Sequence, residues 1–282
     1  MRFCLSKRSS SARIINLTAY PLKFVMAVIA YSVRDPAGRK MAEAFKSSGF
    51  KERDSFHGMP CWERGEVLLI ESEQETIGFS TRFETDLLLF ASKHSSAAAK
   101  PCLTAHFTGN WGPAQHGGRE RELCSAHPSA LKAAFEFLRA NPLEGFPAIM
   151  EATHHGPTAL PCRVLFVEVG SSEKEWEHEA ACETVARACW EACSAPKAEE
   201  CVLGIGGGHY CSKFSELEKE NAFSHVCPKY ALGFLDAEML EQAIQKAGAP
   251  VKKAFVDKKG CGAHKARVIN LLEEAGLDYE KV

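Results

Sequence analysis

Val164-Leu165-Phe166-Val167-Glu168-Val169, followed after Gly170 by a long helical pattern over residues 175–193, is the stretch that decides the fold. Five of its six residues are apolar and turn residues bound it, which reads as a short buried strand. In the following segment Cys182, Val185, Ala186, Cys189, Trp190 and Cys193 fall at i, i+3, i+4, i+7, i+8 and i+11. That spacing is one apolar stripe of a helix, with the thiols packed as small hydrophobes.

Outward from this pair the alternation repeats. Short apolar runs stand at residues 24–32, 67–71, 87–91, 102–106, 149–153, 202–206, 230–235 and 253–257. Asp35-Pro36 opens a helix to about Ser48 with Gly49 as its stop, and helical periodicity returns at 129–140, 238–247 and 264–275. Strands alternating with helices predict an α/β fold: a mainly parallel or mixed sheet flanked by helices. No Pro/Gly/Ser-rich linker divides the 282 residues, so residues 25–282 read as one domain behind a tail, 1–24.

Composition excludes several classes. With 45% hydrophobic and 25% charged residues the chain can bury a large core. Lys plus Arg number 34 against 36 Asp plus Glu, so no overall basic field favours DNA, and any RNA contact must be local. Twelve cysteines with no C-x-x-C pair, in a chain of this size, read as reduced and structural, in a reducing compartment. The longest apolar stretch, residues 24–31, falls short of the roughly 20 residues that cross a bilayer, so no membrane partner is expected.

Residues 1–34 hold no acid but carry Arg2, Lys7, Arg8, Arg13, Lys23 and Arg34 among serines, the composition of an organellar transit peptide or of a basic tail. The expected location is cytoplasmic, or a plastid or mitochondrion if the tail is a transit signal. The Asn16-Leu17-Thr18 sequon reads as chance, since nothing else points to secretion.

In open α/β sheets ligands bind beyond the carboxyl ends of strands. His94, His106, His154, His155 and His209, five of the eleven histidines, stand at such strand exits. A lone histidine there is an ordinary hydrogen-bonded residue, but several converging on one sheet edge suggest a metal or acid–base site. Glu151 and Glu168 could complete a His/carboxylate set suited to zinc, which leaves a position for water. Glu168 could instead pair with the N-terminus of the helix beginning near Glu175. His154 and His155 point opposite ways if the backbone between them is extended, so at most one would face a given metal.

Gly204-Ile205-Gly206-Gly207-Gly208-His209-Tyr210 follows a strand but fails the dinucleotide fingerprint, because His209 takes the place of its last glycine. Gly206, Gly207 and Gly208 could present amides to a phosphate or oxyanion, or simply make a tight turn. Asn110, Trp111, Tyr210, Lys229 and Tyr230 offer aromatic and basic groups for an unpaired RNA end. No G-x-S-x-G elbow and no P-loop occurs, and His178-Glu179 lacks the second histidine of a zincin helix.

Six strings in order carry a resemblance: residues 92–96, 103–112, 151–158 (Glu-Ala-Thr-His-His-Gly-Pro-Thr), 168–176, 204–210 and 228–231. They resemble the motifs of the archaeal and plant type of D-aminoacyl-tRNA deacylase, from about residue 25 to the C-terminus. The resemblance implies a phosphorylase/peptidyl-tRNA hydrolase-like α/β fold, zinc dependence, and hydrolysis of the ester joining a D-amino acid to the 3′ end of tRNA, aldehyde-modified D-aminoacyl-tRNA included. Gly260-Cys261-Gly262-Ala263-His264 stands where the family leads one to expect a more polar loop.

The expected mechanism holds zinc on some of His94, His106, Glu151, His154 and His209, to acidify water and polarise the ester carbonyl. His155 or Glu168 acts as general base, and Asn110, Trp111, the three glycines, Tyr210 and Lys229 contact substrate. Rival readings are a zinc-dependent amidohydrolase or peptidase, a non-catalytic RNA-end binding module and, more weakly, a nucleoside phosphorylase.

Overall fold

The computed structural model describes residues 26–282, so the basic tail, its transit-peptide reading and the Asn16 sequon lie outside the described residues. The strands are β1 Ala27–Ser32, β2 Lys51–Phe56, β3 Met59–Arg64, β4 Val67–Ser72, β5 Leu87–Ser95, β6 Cys102–His106, β7 Gly109–Asn110, β8 Glu122–Leu123, β9 Ala148–Met150, β10 Arg163–Ser171, β11 Cys201–Ile205, β12 Phe223–Cys227, β13 Val251–Val256 and β14 Tyr279–Lys281. The helices are α1 Pro36–Ser47, α2 Pro128–Ala140, α3 Glu173–Trp176, α4 Glu179–Cys193, α5 Ser212–Leu217, α6 Ala237–Gln245 and α7 Lys265–Glu274.

The larger sheet runs β2-β3-β4-β1-β5-β10-β6-β9 and is mixed. Its centre, β4, β1, β5 and β10, is parallel, and β6 runs antiparallel to β10. The near-continuous apolar runs of β1, β5 and β10 are what strands covered on both faces require. Helices α1, α2 and α4 pack on one another and against β5, β10 and β6. Asp35 caps α1 by accepting from the Gly38 amide at 2.8 Å, with Pro36 at the first helical position.

The α/β architecture, with a mixed sheet flanked by helices, is as expected, but not every strand joins that sheet. A second, all-parallel sheet runs β12-β11-β13-β14 around its own core of Leu203, Ile205, Leu240, Val256, Val268 and Leu272. A short apolar run specifies that a strand is buried, not which strand it pairs with, so the sequence pattern fits either arrangement.

The run at 230–235 is not a strand either: residues Lys229–Phe234 form a 3₁₀ turn, and the strand of this region is β12. Helix 175–193 divides at Glu177-His178, where His178 accepts from the Ala181 amide and caps α4. All eleven described cysteines are free and buried, and no described helix is long and apolar enough to cross a membrane.

The two sheets meet along residues 150–154. The Glu151 amide donates to the Ala105 carbonyl of the large sheet at 3.2 Å. The next two amides turn to the small one, Ala152 donating to His209 at 2.9 Å and Thr153 to Val226 at 3.0 Å.

Candidate active site

Strand β10 supplies the floor. Its alternation puts Phe166, Glu168 and Gly170 on one face. The register sets Phe90 and His106 beside Phe166, Ser92 and Thr104 beside Glu168, and His94 and Cys102 beside Gly170. Because β6 is antiparallel to β10 while β5 is parallel, the two histidines flank Glu168 from opposite ends. His94 Nδ1 lies 3.7 Å and His106 Nε2 3.4 Å from Glu168 Oε2. The cluster therefore sits on a sheet face within the strands, and His94 lies inside β5, because β5 continues to Ser95 rather than ending at Ala91.

Residues 151–155 close over this floor. Glu151 is 2% exposed and has His94 Nδ1 at 3.0 Å, His209 Nε2 at 3.1 Å and His154 Nε2 at 3.6 Å. His154 and His155 do not point apart. His155 takes φ 45°, so the extended geometry that would separate the rings is absent. Their ring centroids lie 4.4 Å apart, and both stand over His106, at 4.3 and 4.9 Å.

The glycine loop brings in the last imidazole. Gly206 and Gly207, at φ 98° and 82°, reverse the chain after β11 in a conformation L side chains avoid. His209 then reaches Glu151, and Tyr210 Oη shares a hydrogen bond with His94 Nε2 at 2.8 Å. The Gly206 amide donates to the Cys227 carbonyl at 2.8 Å and is thereby occupied, while Gly207 packs against Gly260.

The electrostatics follow from burial and pairing. Burial alone would lower the His94 pKa, but Glu151 and Glu168 outweigh it and push it up to about 12. Glu168 is held down to about 2 against its burial by His106 and His94, and Glu151 well below the carboxylate range by His209 and His94. Burial and the neighbouring His106 press His154 well below its ordinary value and His155 down to about 4. Nδ1 of both donates to a backbone carbonyl, of Ala152 at 2.8 Å and of Gly156 at 2.6 Å. A carbonyl can only accept, so in the neutral ring the lone pair is on Nε2.

The donor set fits a metal ion. Both Glu151 oxygens and His106 Nε2 are buried without any aligned hydrogen-bond partner, although imidazoles stand within about 3 to 4 Å. Close, misaligned donors of this kind are what groups aimed at a shared centre look like. Three overlapping groups, His106/His154/His155, His94/Glu151/His209 and His106/Glu151/Glu168, each keep their donor atoms within 4.8 Å of one another.

A cleft of about 460 Å³ opens onto the cluster, lined by His154, His155 and His209 on one side and Asn110, Trp111, Tyr230 and Phe234 on the other.

The comparisons with known proteins agree on one family. The model of the D-aminoacyl-tRNA deacylase family matches residues 81–280. The D-aminoacyl-tRNA deacylase of Pyrococcus furiosus is 35% identical over 91% of this chain and 100% of its own length. This chain belongs to the D-aminoacyl-tRNA deacylase family. The deacylase of Thermococcus kodakarensis is 37% identical over 90% of this chain and 99% of its own. A solved structure described as a conserved protein of unknown function superposes with a TM-score of 0.82 at 28% identity, covering 91% of this chain and 95% of that one.

In this deacylase-family chain all seven expected cluster residues, His94, His106, Glu151, His154, His155, Glu168 and His209, come together. Glu168 is not the cap partner of the next helix. Glu175 takes that role in a capping box with Ser172. The expected substrate contacts are less uniform. Trp111 lines the cleft but is 4% exposed, and the Asn110 amide braces the Gly117 and Arg119 carbonyls at 2.9 and 3.1 Å. Lys229 is exposed and does not line the cleft.

Residues that the sequence reading missed include Thr104, whose buried hydroxyl stands unpartnered beside Glu168, Gly170 beside His94, and Phe234 in the cleft wall. Alternation along 102–106 could have singled out Thr104, since it shares a face with His106.

Proposed function

We infer that this chain hydrolyses the ester of D-aminoacyl-tRNA, releasing a free D-amino acid and tRNA, and that the His/Glu cluster is where the ester at the 3′ end is cut. The observation that carries this reading is that all seven cluster residues fall inside the span matched by the deacylase family, residues 81–280.

Zinc is the ion we assign to this cluster, held by some of His94, His106, Glu151, His154 and His209, since it takes imidazole nitrogen and carboxylate oxygen. When bound it supplies a Lewis acid that polarises the ester carbonyl and acidifies water.

The protein's own groups do the rest. His155 is neutral at pH 7, with its Nδ1 proton committed to the Gly156 carbonyl, so Nε2 is free to take a proton from water. His106 and His94 hold the Glu168 carboxylate ionised and occupy it, and we assign it to holding those two rings in place. With the Gly206 amide occupied and the Gly207 amide covered by Gly260, the loop amide left for the tetrahedral oxyanion is that of Gly208. Asn110 and Trp111 form the cleft wall that rejects an L side chain by shape, and Tyr210 orients His94.

The test is hydrolysis of matched D- and L-tyrosyl-tRNA by the purified protein, with and without chelator and zinc add-back. The expected result is release of D-tyrosine alone, lost on chelation and restored by zinc. Turnover of neither ester would overturn the reading.

A further inference from the structure

Four exposed lysines gather at the carboxyl end of the four-stranded sheet, on a chain whose formal net charge is −2. Lys258 and Lys259 follow β13, Lys265 opens α7, and Lys229 opens the 3₁₀ turn after β12. All four are exposed and carry no ion pair among the described residues. By contrast Lys252 and Lys253, on β13 itself, are paired with Glu200 and Glu280 at 2.7 and 2.6 Å. The one acid between residues 252 and 267, Asp257, is already neutralised by Lys213 at 2.7 Å.

These turns are locked to the catalytic cleft. The Lys229 amide donates to Gly207 at 2.9 Å, two residues before His209, and Gly260 packs on the Gly207 amide so closely that a Cβ there would come within 2.1 Å. The Arg267 guanidinium donates to the Leu232 and Leu235 carbonyls and fixes the 3₁₀ turn from the other side. That turn presents Tyr230 and Phe234, 57% and 44% exposed, two of only three exposed large hydrophobics among the described residues. The Phe234 ring lies on Gly112, where a Cβ would come within 2.6 Å, and both aromatics line the cleft.

We propose that this end of the small sheet is the docking surface for the acceptor end of an aminoacyl-tRNA, with backbone phosphates on Lys258, Lys259, Lys265 and Lys229 and the unpaired terminal base stacked on Phe234. Unpaired cations track phosphates, and an exposed ring beside them is the platform that single-stranded RNA uses. An uncharged apolar partner would leave the four ammonium groups unmatched. The proposal rests on the deacylase reading above.

The test compares two substrates, D-tyrosyl-tRNA and D-tyrosyl-adenosine, which keeps the ester and the base but has no phosphate. The triple variant Lys258→Glu/Lys259→Glu/Lys265→Glu is expected to raise KM for the tRNA substrate about tenfold or more at low salt. It also makes the slope of log kcat/KM against log salt shallower by about 2 to 3, one counterion or slightly less per lost contact. Its turnover of D-tyrosyl-adenosine is expected to match the wild type, which also shows that it folds. Phe234→Ala is expected to raise KM for both substrates, by about tenfold for one lost base stack. An unchanged KM and salt slope in the triple variant, with the wild type active on both esters, would overturn the docking surface while leaving the deacylase reading standing. A wild type inactive on both would overturn that reading and this inference with it.

Discussion

A Cβ on residue 170 would stand 2.7 Å from His94 Cδ2 and 2.9 Å from His94 Cβ, so Gly170 is what allows the His94 ring to lie between Glu151 and Glu168. Alanine at this position must push the ring away from both carboxylates. Gly170→Ala is therefore expected to lower kcat for D-tyrosyl-tRNA by about 10- to 100-fold, the range for displacing a group that orients a site, with circular dichroism unchanged. A variant with wild-type kcat would remove His94 from the chemistry.

Glu151 is the carboxylate that three imidazoles approach. Glu151→Gln keeps the volume and removes the charge. It is expected to reduce bound metal, measured by atomic emission on the dialysed protein, and to cut turnover by about 100-fold or more. Retention of full metal content would take Glu151 out of the donor set.

His225 lies outside the cluster, fully buried on β12, with Nδ1 3.4 Å from the Thr153 hydroxyl and Nε2 unpartnered. Burial lowers its pKa to about 4. An unfolded histidine titrates near 6.5, so between these values the unfolded chain binds the proton and the native chain does not. Stability is therefore full above about pH 6.5 and falls as pH drops towards 4, by roughly 3 kcal/mol for this residue alone. His225→Asn should flatten the dependence of Tm on pH in that window. Some slope remains, because His127, His154 and His155 are shifted the same way. An unaltered slope would show that His225 does not titrate on unfolding.

Arg267 holds the carbonyls of Leu232 and Leu235, which close the 3₁₀ turn beneath the exposed aromatics. Arg267→Met strips both acceptors of their donor, at about 1–3 kcal/mol for a lost charged hydrogen-bond partner. The expected outcome is a Tm lower by roughly 2–8 °C and a raised KM with kcat nearly unchanged, read from melting curves and steady-state kinetics.

Much of this was legible in the chain because β5, β6 and β10 carry their chemistry beside unbroken apolar runs. Residues 102–106 were bounded correctly, and 164–169 missed only the ends of β10. The failures have separate causes. Strand β12, Phe-Ser-His-Val-Cys, buries Ser224 and His225 and so breaks the apolar signal, whereas Tyr230-Ala-Leu-Gly-Phe-Leu imitates it in a turn. The hairpin of β2 and β3 starts with Lys-Glu-Arg-Asp-Ser-Phe, an exposed edge with no apolar alternation to read. The left-handed backbone of His155 has no sequence signal, since glycine is the residue that announces such a φ. For that reason the two adjacent histidines were expected to diverge and instead converge.

The seam between the sheets has a consequence for heat and for purification. His209 stands on the loop that follows β11 of the small sheet, and His94, His106 and Glu168 lie on strands of the large one, so the donor groups exist as a set only while the sheets are docked. Any ligand that grips both sides binds the docked arrangement and not the parted one, and by mass action it acts as a clasp on the whole molecule. Stripped of such a ligand, the docked arrangement loses that added stability, and the melting temperature of the chain should fall.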